Sequence, residues 1–422
     1  MTRRTDKYHV SRKKGFSAWE ILLVLLMICF SGNPAFTSVG ILGKIGGLLL
    51  VMLTLSVFWK RIRWDEWKRL LSWQAVLVLI FAMQFVNLHY VSPLACVNFM
   101  SKLAAAILIP YVLGRKFRVI YLRIMTVAGA VSLVFYALNL CGVFFPSLLH
   151  LDQPMETLIV YTQREGGYIG SSMYRNSGMF WEPGAFAGYI VLAFMLYIDD
   201  LKFLVYRHLP SVLVLLVCLL TTFSTAGYLL TAILTFFYIF LEIRKKILII
   251  PVLLVLIPAV AVLFTRSEFL GEKIAKQFEG ISTMDMDSIN YERLGSLIFD
   301  SQYIAMHPLF GNGLAGKTRY ALHQQFSEET LAAFSNGFSG CIASMGVIFM
   351  LMYLAALYRN PTLTRKWLLL ILVILALQSE YFLNYPLYLS VPFADFCSRA
   401  RVRAGKKSRK RRIRFVWRKS QS

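Results

Sequence analysis

Acidic side chains are scarce in this sequence: 22 Asp and Glu stand against 45 Lys and Arg over 422 residues. Charge of either sign is thin, at 16% of the chain, where a soluble domain carries about 25%. Several chemical signatures are missing too. There is no HExxH and no Cys/His cluster, so zinc chemistry has no support. No alternating ten-residue pattern of a membrane β-barrel occurs, nor any internal repeat. The six cysteines (Cys29, Cys96, Cys141, Cys218, Cys341, Cys397) show no metal or CxxC spacing and lie in or beside apolar stretches, which reads as small buried hydrophobes.

What is present is apolar length. Hydrophobic residues make up 57% of the chain and fall in blocks of roughly 17–25, the length a helix needs to cross about 30 Å of hydrocarbon. Twelve spans are expected, near 17–31, 37–58, 70–88, 94–113, 122–145, 180–198, 208–223, 226–243, 247–264, 335–357, 367–381 and 384–398. The fold class is thus an all-α polytopic membrane protein of about 12 transmembrane helices with two large extracytoplasmic loops, near 146–179 and 265–334. The second loop carries an amphipathic stretch at Ser267–Phe278 and a helix expected over Ser288–Ala305.

The net charge of +23 is not spread evenly. Basic residues crowd the segment 1–16, Lys60–Arg69, Arg115–Arg123, Arg244–Lys246, Arg359–Lys366 and the tail 399–422. These are alternate gaps between the apolar blocks, the pattern of cytoplasmic loops, and they place both termini in the cytoplasm with 17–398 as the membrane domain. Placed so, the charge points to anionic lipid headgroups and not to nucleic acid.

Charges near membrane depth are functional candidates by default. Glu182 opens the sixth span beside Pro183, with Arg175 seven residues upstream; a well-placed helix start is the plainer explanation. Arg293 lies in the second loop. His307-Pro-Leu-Phe-Gly-Asn-Gly reads as a tight turn bringing backbone close to another element, and Lys317 and Arg319 follow it. Arginines in two separate loops could grip a diphosphate through two-pronged hydrogen bonds. Lys44 and Lys102 sit within spans and are expected to snorkel toward the interface, Lys102 also being a ligand candidate. Glu380 and Asn384 bracket the last outer turn and carry a weaker signal. No metal site and no cofactor is expected.

Several of these words together resemble the bacterial O-antigen polymerase and ligase superfamily. They are Arg175…Gly178…Glu182-Pro183-Gly184, the stretch Thr221–Leu229, His307–Gly313, and Asn336 at the start of a span, in that order. The resemblance implies a type-C glycosyltransferase-like bundle in the bacterial cytoplasmic (inner) membrane. It would act, independently of metal, on undecaprenyl-diphosphate-linked oligosaccharide, with membrane lipids and a chain-length regulator and flippase as partners. It assigns Arg175 and Arg293 to the diphosphate. Ligases carry a histidine before the residue matching Asn336, nine residues ahead of the glycine matching Gly346; here that position is Ser335, which favours the polymerase branch. Glu182 is then the candidate general base. A ligase, or a lipid-oligosaccharide transporter, remains the alternative.

Overall fold

The apolar blocks fold as helices. A computed structural model describes residues 15–38, 40–145, 149–150, 155–164, 174–242, 293–324 and 336–397. In chain order the helices are α1 (Ala18–Cys29), α2 (Pro34–Thr37), α3 (Gly40–Phe58), α4 (Trp64–Leu88), α5 (Pro93–Leu113) and α6 (Lys116–Leu140). There follow α7 (Pro183–Met195), α8 (Leu201–Arg207), α9 (Leu209–Thr221), α10 (Thr225–Glu242), α11 (Arg293–Met306), α12 (Gly316–Arg319), α13 (Gly337–Arg359), α14 (Lys366–Leu377) and α15 (Pro386–Leu389). Among the described residues, five stretches are long and apolar enough to cross a membrane: Gly40–Arg61, Trp64–Leu88, Pro93–Leu113, Lys116–Leu140 and Gly337–Arg359. The bent pair formed by Ile198–Arg207 and Leu209–Thr221 makes six if counted as one span.

Local sequence explains where these helices begin. Ser17 caps α1 and exchanges a reciprocal capping box with Glu20. Ser92 precedes Pro93 at the first position of α5, where proline's missing N–H has no partner to lose. α5 is the central element, buried along most of its length, whereas α3 and α4 keep one apolar face outward.

The stretch 208–223 folds as the helix α9, and a 105° bend separates it from α8, because Pro210 in the first turn of α9 cannot continue the preceding helix. Two expectations are corrected. The segment 384–398 is not a helix. It is a string of single turns (Phe382–Asn384, α15, Val391–Phe393), buried almost throughout and held by Tyr353 donating to the Tyr388 carbonyl (2.7 Å) and Tyr388 donating to that of Gly188 (2.9 Å). Irregular backbone at membrane depth survives only when protein surrounds it. Within the first long loop, β1 (Leu149–His150), β2 (Met155–Thr157) and β3 (Thr162–Arg164) form a small antiparallel sheet in that order. Finally, Cys141 is exposed. The span at 247–264, the stretch 267–278, most of the second loop and both basic termini lie outside the described residues; the helix expected at Ser288–Ala305 is described as α11.

The basic gaps among the described residues, Lys60–Arg69, Arg115–Arg123 and Arg359–Lys366, gather at one end of the bundle. There Glu20 pairs with Lys116 (2.7 Å) and Arg61 (3.1 Å), joining α1, the end of α3 and α6. Arg118 pairs with Asp200 at 2.8 Å. Asp199 accepts the backbone N–H of Arg365 (2.9 Å), and Arg115 donates to the Cys397 carbonyl (2.8 Å). The starts of α5, α7 and α13 lie at the other end.

Candidate functional site

At that opposite end the chain breaks a membrane helix and rebuilds it from outside. Gly346 sits within α13 at φ 81, a left-handed conformation that favours glycine, and a Cβ there would lie 2.0 Å from the Leu309 carbonyl oxygen. The break frees backbone groups that must find partners. His307–Gly313 supplies them. Asn312 and Gly313 donate their backbone N–H to the carbonyls of Ala343 (2.8 Å) and Ser344 (3.0 Å), while Val347 donates to that of Pro308 (2.8 Å). The Asn312 side chain also donates to Tyr303 (2.8 Å) and Ala343 (3.0 Å) carbonyls. From α4, Gln84 donates to the carbonyls of Phe310 (2.6 Å) and Ser344 (3.0 Å). The tight turn expected from the sequence does bring backbone close to another element, namely the break in α13.

The break opens a cavity of about 330 Å³. Its lining is Arg319 and Tyr320, Asn336, Gly340 and Ser344 at the start of α13, and Trp181, Glu380, Tyr381, Asn384 and Tyr385. Arg319 is buried. It pairs with Asp300, donates from Nε to the Ser344 hydroxyl (3.1 Å) and lies over the rings of Tyr303 (4.9 Å) and Tyr320 (5.0 Å). Its Nη1 has no hydrogen-bond partner among the described residues. Asp300 also accepts from the Ser339 hydroxyl (2.5 Å); burial pushes its carboxyl up, opposed by Arg319 and Ser339. In the same lining Trp181 stacks on Tyr385 with ring centroids 5.0 Å apart. Glu380 and Glu182 both lie within electrostatic reach of the Tyr385 hydroxyl.

The candidates from the sequence divide. Arg319 and Asn336 line the cavity. Asn336 is also the cap of α13, accepting from Phe338 and Ser339 N–H (3.0 and 3.2 Å) and donating to Gln378 (2.7 Å). Glu182 is the extended residue just before α7, next to Trp181 in the wall. Arg175 instead braces a helix end: Nε donates to the Thr222 carbonyl (2.9 Å) and Nη2 to that of Phe223 (3.0 Å). Arg293 is the first residue of α11, and its side chain lies outside the described part. Lys317 is exposed and faces the ring of Tyr90 (5.2 Å), so it does not join its neighbour Arg319. His307 contributes backbone to the rebuilt break. Lys102 does not snorkel; it is 8% exposed and lies 5.8 Å from the Tyr385 ring.

His323 is buried against Phe299 and shares a 2.6 Å hydrogen bond between its Nδ1 and the Tyr303 hydroxyl. Burial holds its imidazole below the ordinary value and pushes the Tyr303 hydroxyl up to about 12. The side chains that sequence reasoning missed or underrated are Trp181, Asp300, Ser344, Glu380, Asn384 and Tyr385. Glu380 and Asn384 left a trace, bracketing the last outer turn. No protein-family model, curated protein or solved structure matches the chain.

Proposed function

We propose that this chain is a glycosyltransferase that polymerises undecaprenyl-diphosphate-linked repeat units at the outer face of the bacterial cytoplasmic membrane. The single observation that carries the reading is the cavity at the end of the bundle remote from the basic gaps. It combines a buried guanidinium with an open Nη1, a carboxylate on Glu380 and a stacked Trp181–Tyr385 pair. An aromatic face packs against the apolar side of a sugar ring, and a few convergent polar groups orient it. With the basic gaps in the cytoplasm, this cavity lies at the outer leaflet.

The reaction follows from these groups. An acceptor hydroxyl oxygen bonds to the anomeric carbon of the donor sugar as the bond from that carbon to the diphosphate oxygen breaks. The electron pair leaves with the lipid diphosphate, where Arg319, with Arg293 from the same loop region, stabilises the developing charge. The hydroxyl proton passes to a carboxylate, Glu380 or Glu182. Among the described residues no histidine lines the cavity, which favours polymerase over ligase.

The test is to incubate the purified protein with an undecaprenyl-diphosphate-linked repeat unit from its host and resolve products on a gel. A ladder of lengthening lipid-linked glycans is expected, weakened about a hundredfold by Glu380→Gln and less by Glu182→Gln. Single units left unchanged by folded, lipid-binding protein would contradict the reading.

A further inference from the structure

A second cavity, about 380 Å³, lies beside the first between α3 and α5. Asn384 and Tyr385 belong to both linings and so form the partition between them. The second lining holds two lysines, Lys44 and Lys102, and no acidic residue. Lys44 is exposed at the rim. Lys102 is the unusual one: a side chain nine-tenths buried, in the third turn of a membrane-spanning helix, with no carboxylate in ion-pair range among the described residues. Its ammonium lies over the face of Tyr385, 5.8 Å from the ring centroid. Asn98, one turn earlier on α5, also lines this chamber, and its side-chain oxygen is buried without a partner.

An uncompensated buried ammonium is costly; a chain that keeps one beside a cavity has a place for an anion. The shape of the chamber narrows the choice. Gly47 lets α3 lie directly on α5: a Cβ there would come within 2.7 Å of the Lys102 backbone nitrogen. This close approach sets Lys102 behind α3. The outward face of α3 is apolar, with Ile41, Leu48, Leu49 and Met52 exposed. An occupant with a phosphate head in the chamber and hydrocarbon along α3 satisfies both surfaces.

We infer that the Lys102 chamber binds the diphosphate of a second polyprenyl lipid, so that two lipid-linked substrates sit side by side with Tyr385 and Asn384 between them. The inference rests on the polymerase reading, because a polymerase needs two lipid diphosphates at once, one leaving and one carrying the other repeat unit. Arg319 serves the first and Lys102 with Lys44 the second.

The test uses full-length protein in phosphatidylcholine nanodiscs and titrates undecaprenyl diphosphate by native mass spectrometry. Lys102→Met keeps the side-chain length and removes the charge. Its affinity should fall about tenfold or more, the cost of losing a charge-assisted contact, and Lys102→Arg should recover most of it. Thermal stability of the methionine variant should equal or exceed that of the native chain, since a buried charge has been removed; a folding defect would instead lower it. Phosphatidylglycerol should compete poorly, having one phosphate charge for two lysines. Unchanged affinity in Lys102→Met, with a polymer ladder still made by the native protein, would overturn the chamber and leave the polymerase standing. Equal competition by phosphatidylglycerol would overturn it in favour of a bulk-lipid site. Lys102-dependent binding of undecaprenyl diphosphate without any ladder would retain the chamber and remove the polymerase.

Discussion

Two buried arginine–aspartate pairs sit at opposite ends of this bundle. At the basic end Arg118 in the first turn of α6 meets Asp200 at 2.8 Å, with the ring of Tyr197 4.7 Å from the guanidinium. At the other end Arg319 meets Asp300, with the ring of Tyr303 4.9 Å away. Both arginines leave guanidinium nitrogens unpaired among the described residues. Burial and pairing therefore do not separate a structural clamp from a working group. The surroundings do: Arg118 ties α6 to the start of α8, whereas Arg319 borders a cavity facing Glu380 and a stacked aromatic pair.

The comparison is sharpened most by removing one charge from each pair. Asp200→Asn and Asp300→Asn each strand a buried guanidinium and should cost about 3–5 kcal/mol of stability, read as a lowered thermal midpoint in detergent. A cost at one end only would show that the pairs are not equivalent in packing.

Next in size is the backbone. Gly346→Ala places a Cβ 2.0 Å from the Leu309 oxygen at a φ of 81 and should cost about 3 kcal/mol. Gly129→Ala, in the regular part of α6, meets only the Cys218 sulfur at 2.9 Å, which can shift. It should cost clearly less. Equal losses would mean that the rebuilt break does not organise the cavity end.

The smallest effect is one of pH. Burial holds His323 below the ordinary imidazole value, so its contribution to stability is complete at neutral pH and is lost as pH falls through that lowered value. Hydrogen exchange in α11 and in residues 316–324, corrected for its intrinsic rate, should therefore speed up as pH falls below about 6.5, beyond the change seen around Arg118. Uniform behaviour at both ends would remove His323 as the cause.

Much of the scaffold was legible in the sequence because it rests on local rules. The lengths of the apolar blocks located α3, α4, α5, α6 and α13, and the positions of Lys and Arg foretold which helix ends would gather together. Pro183 and Asn336 marked helix starts correctly. The site was less legible because its parts are joined by tertiary contacts. Arg319 is a candidate from the sequence, but its partner Asp300, nineteen residues earlier, stands out only once α11 packs on α13. Glu380 and Asn384 gain meaning only when the last apolar block unravels into turns inside the bundle. Arg175 shows the same dependence on tertiary contacts: its spacing from Glu182 is visible along the chain, while the bonds from its Nε and Nη2 to the turn after α9 arise only in the fold. Lys102 could not be told from a snorkelling lysine without the close approach of α3.

The central claim is that the Arg319 end, and not the Arg118 end, carries the chemistry. Replacing each pair by apolar residues of similar size, Arg118→Met with Asp200→Leu and Arg319→Met with Asp300→Leu, leaves no stranded charge and should be near neutral for stability. Polymer formation from undecaprenyl-diphosphate-linked repeat units would be measured for both double variants. The account expects the first to make a native ladder and the second to lose about a hundredfold or more in rate. A native ladder from the Arg319→Met, Asp300→Leu protein would contradict it.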